Sequence, residues 1–369
     1  MVDKFEQPIY TPSIIFTTIS SHKKMTVRFE SLGLYLPERM ESTADIVSRL
    51  KIETPFDLSK ITGIERRHVA EDNEDTLSMA LDAAHDCLQN SKYSAADLDC
   101  IISCSISRRV GSRYHFEPTL SLWVKNEIGA HQALNFDLSN ACAGMLTGVH
   151  VLESLIKDGT VRNGMVLSAE RNYPGSETAE KEIDSIMHEQ FASLTVGDAA
   201  TAVILDDLAE GNEALHMVEM TSCAEPAQLC LGMPSLESVG IALYTKNIKL
   251  HAASNLMIWP NMAKRVFAAQ GSSLTEEQFD FLIPHQIGTK FSKKSAEIVK
   301  DILGIDLPEM LHSLEECGNT SSTSHFVVLY QALQKGVVTP GMKLLLVPAA
   351  SGIVTGCVSV TIGDLKVSA

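Results

Sequence analysis

Segments typical of strands and segments typical of helices alternate along almost the whole chain of 369 residues. Residues 279–285 form a short apolar run that is typical of a buried strand, whereas residues 77–90 carry apolar side chains at helical spacing. This alternation predicts an α/β protein with layered helices and sheets. The other strands are predicted at residues 25–36, 98–107, 133–138, 165–170, 201–205, 215–220, 343–347 and 357–362, and the other helices at 118–128, 145–156, 254–270, 290–302 and 318–333.

The second half of the chain repeats the order of elements of the first half, although it does not repeat its residues. This repetition favours two similar halves, which we place at residues 25–210 and 211–369. Residues 1–24 are interpreted as an extension or an edge strand. They lack the apolar stretch and cleavage site of a signal peptide, so they are not expected to be one. A hydrophobic content of 45% is enough for a sizeable core.

Composition also excludes several classes of function. The formal net charge of −16 makes an overall attraction to nucleic acid or to an anionic membrane unfavourable. The eight cysteines are widely spread and no pair has CxxC spacing, so we expect reduced thiols, a cytoplasmic protein and no structural metal. The longest apolar run, at residues 344–360, is broken by Pro348 and two glycines, which indicates two strands and no membrane span. No GxGxxG opens a helix after the first strand, so dinucleotide binding is poorly supported.

Cys142 lies between a predicted strand and a predicted helix. Ser139 and Asn140, which precede it, are residue types that cap helices, and apolar residues recur at helical spacing from Met145. Unpaired backbone N–H groups and the positive end of a helix dipole favour a thiolate at such a place. The alternative is a small buried core residue, which is the usual role of an unpaired cysteine.

Two further elements end in reactive side chains. His285 follows the strand at 279–283, and Asn319 lies in Gly318-Asn319-Thr320-Ser321, just before a helix. Because sites in layered α/β proteins gather beyond the carboxyl ends of strands, Cys142, His285 and Asn319 can converge. A cysteine nucleophile with a histidine and an asparagine suits acyl chemistry. Taken singly, the histidine could bond only to backbone and Gly-Asn could be a simple turn.

A resemblance to a known family rests on five short motifs that occur in its order and spacing. They are Thr62-Gly63-Ile64 with Arg67, Asn140-Ala141-Cys142-Ala143-Gly144, Gly197-Asp198-Ala199, Pro284-His285-Gln286, and Gly318-Asn319-Thr320-Ser321. Over residues 25–369 the chain resembles the ketoacyl-acyl-carrier-protein synthase III group of the thiolase superfamily. The resemblance implies a five-layered αβαβα fold of two similar halves, usually as a homodimer.

The same resemblance implies roles for single residues. Cys142 would take an acyl group from a coenzyme A or acyl-carrier-protein thioester, with no tightly bound cofactor. The amide of Cys142 and one in Ser351-Gly352 would form the oxyanion hole. His285 and Asn319 would donate hydrogen bonds to the thioester oxygen of the second substrate. Arg66 and Arg67 are candidates for substrate binding.

Glu117, in Phe116-Glu117-Pro118, departs from the usual synthase III pattern, which has an aromatic residue directly before the proline. A glutamate here resembles the acyl-acyl condensing enzymes of olefin and α-pyrone biosynthesis, in which it reaches across the dimer as a base. A second substrate without a carboxyl group must lose a proton before it can attack, and a carboxylate is a suitable base. The alternative is a surface glutamate that only favours a helix dipole.

The leading hypothesis is therefore a ketosynthase that joins two acyl thioesters by Claisen condensation, with Glu117 as base. One alternative is decarboxylative condensation of acyl-Cys142 with a malonyl-type thioester, in fatty acid or secondary metabolism. Another is acyl transfer to an oxygen or nitrogen nucleophile. A non-catalytic partner subunit is the last, and the intact Cys142 argues against it.

Overall fold

The computed structural model describes residues 26–111 and 113–368, so the predicted extension at residues 1–24 lies outside the described residues. The strands are β1 Arg28–Tyr35, β2 Met40–Ser42, β3 Arg66–His68, β4 Cys100–Ser103, β5 Arg109–Val110, β6 Arg113–Tyr114, β7 Leu134–Asp137, β8 Asn163–Glu170, β9 Ala199–Asp206, β10 Ala214–Ser222, β11 Cys230–Pro234, β12 Ile241–Thr245, β13 Phe281–Pro284, β14 Glu309–Met310, β15 Lys343–Val347, β16 Ala349–Ala350 and β17 Val354–Thr361. The helices are α1 Thr43–Ser48, α2 Leu58–Thr62, α3 Thr76–Gln89, α4 Leu120–Ile128, α5 Gly144–Lys157, α6 Tyr173–Glu182, α7 Asn247–Leu250, α8 Ala253–Leu256, α9 Ile258–Ala269, α10 Thr289–Leu303, α11 Leu314–Cys317 and α12 Ser324–Gln334. Short 3₁₀ helices lie at Ala95–Asp97, Ala141–Ala143, Glu189–Thr195 and Ser321–Thr323.

Two large sheets share one plan. The first has the order β1-β9-β8-β4-β7, and the second has the order β10-β17-β15-β13-β14. In each sheet the first two pairings are antiparallel and the last two are parallel. The two predicted similar halves are therefore confirmed at the level of topology, while the boundary near residue 210 stays a prediction.

Helices and sheets stack in five layers. Helices α3 and α4 pack on the outer face of the first sheet, and α9 packs on the outer face of the second. Between the sheets lies the largest core cluster, formed by α5, α12 and the inner faces of both sheets. Strands β8 and β9 are buried along their whole length, which explains the apolar runs Met165–Leu167 and Ala202–Leu205 within them. The predicted αβαβα architecture is confirmed.

The central helix α5 follows the sequence pattern closely. Its buried residues recur at helical spacing, and it ends at Lys157, one residue before Asp158 and two before Gly159, as predicted. Gly148 lets the helix approach the first sheet, because a Cβ there would lie 2.6 Å from both Cys104 Sγ and Val166 Cγ1. This close packing fixes the position of α5, which directly follows the turn that carries Cys142.

The structure differs from the sequence prediction in three places. Residues 171–200, between the predicted strands at 165–170 and 201–205, carry no predicted helix, but they contain α6 and a 3₁₀ helix. Pro118 precedes α4, which begins at Leu120, so it is not in the first turn of the helix. The hairpin of β11 and β12 was not predicted, because its strands carry Gly232 and Pro234 and lack strict alternation. Among the described residues, no helix is both long and apolar enough to cross a membrane.

Candidate active site

Cys142 lies in the 3₁₀ turn Ala141–Ala143, between β7 and α5. Ala141 has φ of 47°, which is a left-handed conformation that a non-glycine residue adopts only at a cost. Asn140 does not cap the helix as predicted, because its Nδ2 donates to Thr147 Oγ1 at 2.9 Å and makes no cap bond to a backbone N–H. Strain next to Cys142 is consistent with a turn shaped for a function.

The thiol of Cys142 is held in its protonated form. The pKa of Cys142 is raised to about 12: burial of the sulfur is the largest cause and the nearby Cys230 and Glu170 add to it, while its own amide and the Ser321 hydroxyl act in the opposite direction. We expected the helix start to favour the thiolate, but desolvation outweighs the amides here. Attack on a thioester must therefore be coupled to loss of the thiol proton.

This protonation state predicts how Cys142 reacts with an alkylating reagent. We expect the rate of alkylation of Cys142 by iodoacetamide to rise about tenfold per pH unit between pH 7 and pH 9, because only the thiolate reacts and its fraction grows with pH far below the pKa. The measurement is mass spectrometry of the peptide that contains Cys142. A rate that levels off near pH 7 would mean that the helix start stabilises the thiolate after all.

His285 directly follows β13, and its backbone N–H donates to the carbonyl of Val347 on the neighbouring strand β15 at 2.9 Å. The residue is 3% exposed, and its Nδ1 is buried without a partner among the described residues. Burial, with a smaller contribution from His325, lowers the pKa of His285 to about 3. The imidazole is therefore neutral at physiological pH, so one ring nitrogen carries a proton that it can donate.

Two hydrogen bonds hold the backbone of Asn319 in place, and a third orients its side chain. Its N–H donates to the carbonyl of Thr195 at 2.9 Å, and its carbonyl accepts from the amide of Gly197 at 3.0 Å. Asn319 Oδ1 accepts from the amide of Ser321 at 2.9 Å. Because the oxygen of the carboxamide is occupied in this way, its NH₂ group is left to donate elsewhere. Gly318, with φ of 62°, permits the approach, since a Cβ there would lie 2.8 Å from the carbonyl of Thr195.

The structure brings the turns that carry these residues together. The turn of Cys142 packs against the turn Ser321–Thr323 that follows Asn319, and against β16, which precedes Ser351 and Gly352. The ring of His285 stacks on His325, in the first turn of α12, the helix that continues from that same turn. The predicted convergence of Cys142, His285 and Asn319 thus has a structural basis, although their catalytic roles stay predictions.

Ser351 and Gly352, the other predicted contributors to the oxyanion hole, form the turn between β16 and β17. Gly352 has φ of 79°, and Ile353 after it has φ of 31°. The Ser351 hydroxyl lies 3.1 Å from the sulfur of Cys230, which is itself close to Cys142. This placement agrees with a loop that borders Cys142, and its role as a donor of N–H groups stays a prediction.

The two predicted substrate-binding arginines differ in position. Arg66 is exposed and pairs with Glu316 at 2.5 Å. Arg67 is fully buried and donates to Thr43 Oγ1 at 2.9 Å and to the carbonyl of Leu194 at 3.1 Å. A guanidinium enclosed in the interior cannot meet a soluble substrate at the surface. Burial therefore argues against contact between Arg67 and a substrate at the surface, and substrate binding by Arg66 and Arg67 stays a prediction.

Glu117 is exposed on the surface of the single chain, and Phe116 beside it is 87% exposed. Its role as a base stays a prediction.

Sequence analysis missed two groups near the site. Glu170, the last residue of β8, is fully buried and accepts from Ser322 Oγ at 2.6 Å and from the amide of Ile106 at 2.9 Å. His325 is fully buried on α12. A charge that ends an apolar strand and a histidine that interrupts an apolar helix are the signals that could have found them. In the part of the chain that the structure describes, no group of three or more metal-ligating side chains is arranged to hold a metal ion.

The chain is similar in sequence to known proteins of one family. Family models described as 3-oxoacyl-acyl-carrier-protein synthase III and its C-terminal part match residues 136–222 and 269–362. Beta-ketoacyl-acyl-carrier-protein synthase III 1 of Bacillus cereus is 26% identical over 339 residues, which are 92% of this chain and 100% of that protein.

Two solved structures share the fold. The synthase III of Pseudomonas aeruginosa has a TM-score of 0.77 at 21% identity and covers 92% of this chain and 99% of its own. A variant of OleA from Xanthomonas campestris with bound lauric acid and lauroyl-coenzyme A has a TM-score of 0.77 at 20% identity and covers 92% of this chain and 100% of its own. At these identities the structures show the common fold alone.

Proposed function

We propose that this chain is a synthase III-like condensing enzyme of the thiolase superfamily, in which Cys142, His285 and Asn319 join two acyl thioesters by Claisen condensation. The observation that supports this most is the packing of the Cys142 turn against the turn that follows Asn319. A nucleophile and a hydrogen-bond donor that meet in this way can act on one substrate. The substrates are acyl groups on coenzyme A or on an acyl carrier protein.

In the first half-reaction the sulfur of Cys142 attacks the carbonyl carbon of an acyl thioester. A carbon–sulfur bond to Cys142 forms, the bond to the carrier sulfur breaks, and the thiol proton of Cys142 ends on the departing thiol. Negative charge develops on the carbonyl oxygen, and the amide of Cys142 with an amide of Ser351 or Gly352 stabilises it. Such donors cost no reorganisation because the backbone holds them in place.

In the second half-reaction the α-carbon of another acyl thioester attacks the acyl-Cys142. Neutral His285 and the NH₂ group of Asn319 donate to the oxygen of this thioester, which stabilises its enolate. A new carbon–carbon bond forms, and the sulfur of Cys142 leaves and regains a proton. The product is a β-ketoacyl thioester.

The proton on the α-carbon must go to a base when no carbon dioxide is lost. We propose Glu117 of a second subunit for this step. This proposal is supported by the exposed position of Glu117 near two exposed aromatic residues. The exposed fraction is 87% for Phe116 and 42% for Tyr114. Apolar surface of this kind marks a place where another chain packs, and a homodimer would carry Glu117 to the partner's site.

The second candidate is decarboxylative condensation with a malonyl-type thioester. The similarity to synthase III proteins over nearly the full chain favours it. Here loss of carbon dioxide generates the enolate, so Glu117 is not needed. His285 and Asn319 have the same roles in both reactions.

One experiment separates the two candidates. Purified protein is given long-chain acyl-coenzyme A alone, and then acyl-coenzyme A with malonyl-coenzyme A, and the products are identified by mass spectrometry. A β-keto product formed from acyl-coenzyme A alone supports the joining of two acyl chains. A product that forms only with malonyl-coenzyme A supports the decarboxylative reaction, and release of free fatty acid alone contradicts both.

The donor role of Asn319 has a measurable consequence. We expect Asn319→Ala to load Cys142 at the wild-type rate but to condense about 10²–10³-fold more slowly, because one preorganised donor to the developing charge is lost. The backbone bonds to Thr195 and Gly197 remain in this variant, while the bond from the Ser321 amide to Oδ1 is lost. Loading is followed by intact-protein mass and condensation by product formation. Asn126→Ala, on the surface of α4, is the matched control, and equal condensation by both variants would contradict the donor role.

A further inference from the structure

A second histidine, His325, is buried directly against His285. It lies in the first turn of α12, two residues beyond the turn that follows Asn319, and it is fully buried. The two imidazole rings stack with centroids 5.9 Å apart and planes inclined by 26°. His325 therefore forms one wall of the space that holds the His285 ring.

One carbonyl oxygen fixes both histidines. The carbonyl of Val347, at the end of β15, accepts from the backbone N–H of His285 at 2.9 Å and lies 3.1 Å from Nε2 of His325. A carbonyl oxygen only accepts, so His325 carries its proton on Nε2. The Nδ1 atom of His325 is then a bare acceptor, and it is buried without a partner among the described residues.

His285 has the same arrangement. Its Nδ1 is also buried without a partner, so a proton on that atom would be an unpaired N–H in the protein interior. Unpaired buried N–H groups are rare because they lose their bonds to water without replacement. The neutral ring of His285 therefore keeps its proton on Nε2, which is the nitrogen left to face a substrate.

Packing alone does not explain a histidine at position 325. The residues that follow it on α12 are Phe326, Val327, Val328 and Leu329, all buried. An imidazole with an unpaired nitrogen destabilises the fold in such a place, and a leucine would avoid that cost. The stacked ring and the bond to Val347 thus serve something other than stability.

We propose that His325 is a positioning residue that acts through His285: it fixes the plane of the His285 ring and keeps the His285 proton on Nε2. This inference rests on the proposed function, in which His285 donates to the second thioester. His325 touches no substrate in this scheme. Its loss leaves the His285 ring without its stacking partner and frees one side of the Val347 carbonyl, so the ring can tilt and its tautomers can mix.

The test uses the full chain labelled with ¹⁵N in its histidines. Ring-nitrogen spectra of wild type, His325→Leu and His325→Gln report the tautomer of His285, and His285→Gln assigns its signals. The same proteins are assayed for acyl loading of Cys142 by intact mass, and for kcat and KM of condensation. Gln at position 325 keeps an N–H donor near the position of Nε2. Leu fills a similar volume but has no hydrogen-bonding group. His216→Leu is the control, because His216 lies 2.7 Å from Thr361 Oγ1 on β17 and takes no part in the site.

We expect His325→Leu to move the ring-nitrogen signals of His285 toward mixed tautomers and to lower kcat for condensation about tenfold, with KM and acyl loading unchanged. We expect His325→Gln to restore most of kcat. Unchanged His285 signals in His325→Leu would overturn the inference, and so would equal losses in loading and condensation, which indicate general damage. If wild-type protein does not condense at all, the proposed function fails, while the tautomer measurement still decides the role of His325.

Discussion

Cys142→Ala is expected to abolish the covalent acyl adduct and all condensation. The physical reason is that the alanine methyl group has no nucleophilic atom, so no acyl group can be stored between the two half-reactions. The substitution removes one sulfur from a partly exposed residue and leaves the turn Ala141–Ala143 intact. The measurement is intact-protein mass after incubation with acyl-coenzyme A, together with product formation.

The control for this variant is Cys223→Ala. Cys223 is also partly exposed, and its thiol donates to Glu225 at 2.9 Å. We expect this control to keep the full adduct, because the acyl group is placed on Cys142. An adduct that persists in Cys142→Ala and disappears in Cys223→Ala would show that the wrong nucleophile was assigned.

Glu117→Gln is expected to have the second largest effect, and a selective one. The variant should load Cys142 normally but join two unactivated acyl thioesters about 10²–10⁴-fold more slowly, because a glutamine cannot accept the proton from the α-carbon. Size and hydrogen-bonding capacity are nearly retained, so assembly of subunits should be unaffected. Separate assays of loading and of β-keto product formation measure the effect.

The matched control is Glu276→Gln, an exposed glutamate in the second half of the chain. It should behave as wild type in both assays. Normal condensation by Glu117→Gln would remove Glu117 from the mechanism. If that variant loses condensation with acyl thioesters but retains it with malonyl-coenzyme A, the enzyme can carry out both reactions and Glu117 serves only one of them.

Much of the fold was predictable, because each element has a local cause. The buried stripe of α5, its end beside Gly159, and the apolar strands β8 and β9 are all dictated by short-range patterns. Helix α6 was not predicted, because Tyr173–Glu182 is polar for most of its length. The buried contacts of this helix come from elements that are distant in sequence. The local sequence pattern carries no information about such contacts.

The sequence predicted the location of the candidate site better than it predicted the surroundings of the residues in it. Cysteine, histidine and asparagine at the ends of elements indicated where chemistry could occur, and the structure brings their turns together. The direction of the pKa shift of Cys142 was predicted wrongly, because the sequence shows the helix start but not the burial of the sulfur. For the same reason Arg67, which looks like a basic surface residue, turned out to be interior.

The fate of a labelled acyl group tests the proposed reaction most directly. Cys142 is loaded from ¹³C-labelled acyl-coenzyme A, excess reagent is removed, and an unlabelled acyl thioester is added. We predict loss of the label from Cys142 and its appearance in a β-ketoacyl product, bonded through carbon to the unlabelled chain. Label recovered only as free acid, or as an ester or amide of the second compound, would contradict a carbon–carbon condensation at Cys142.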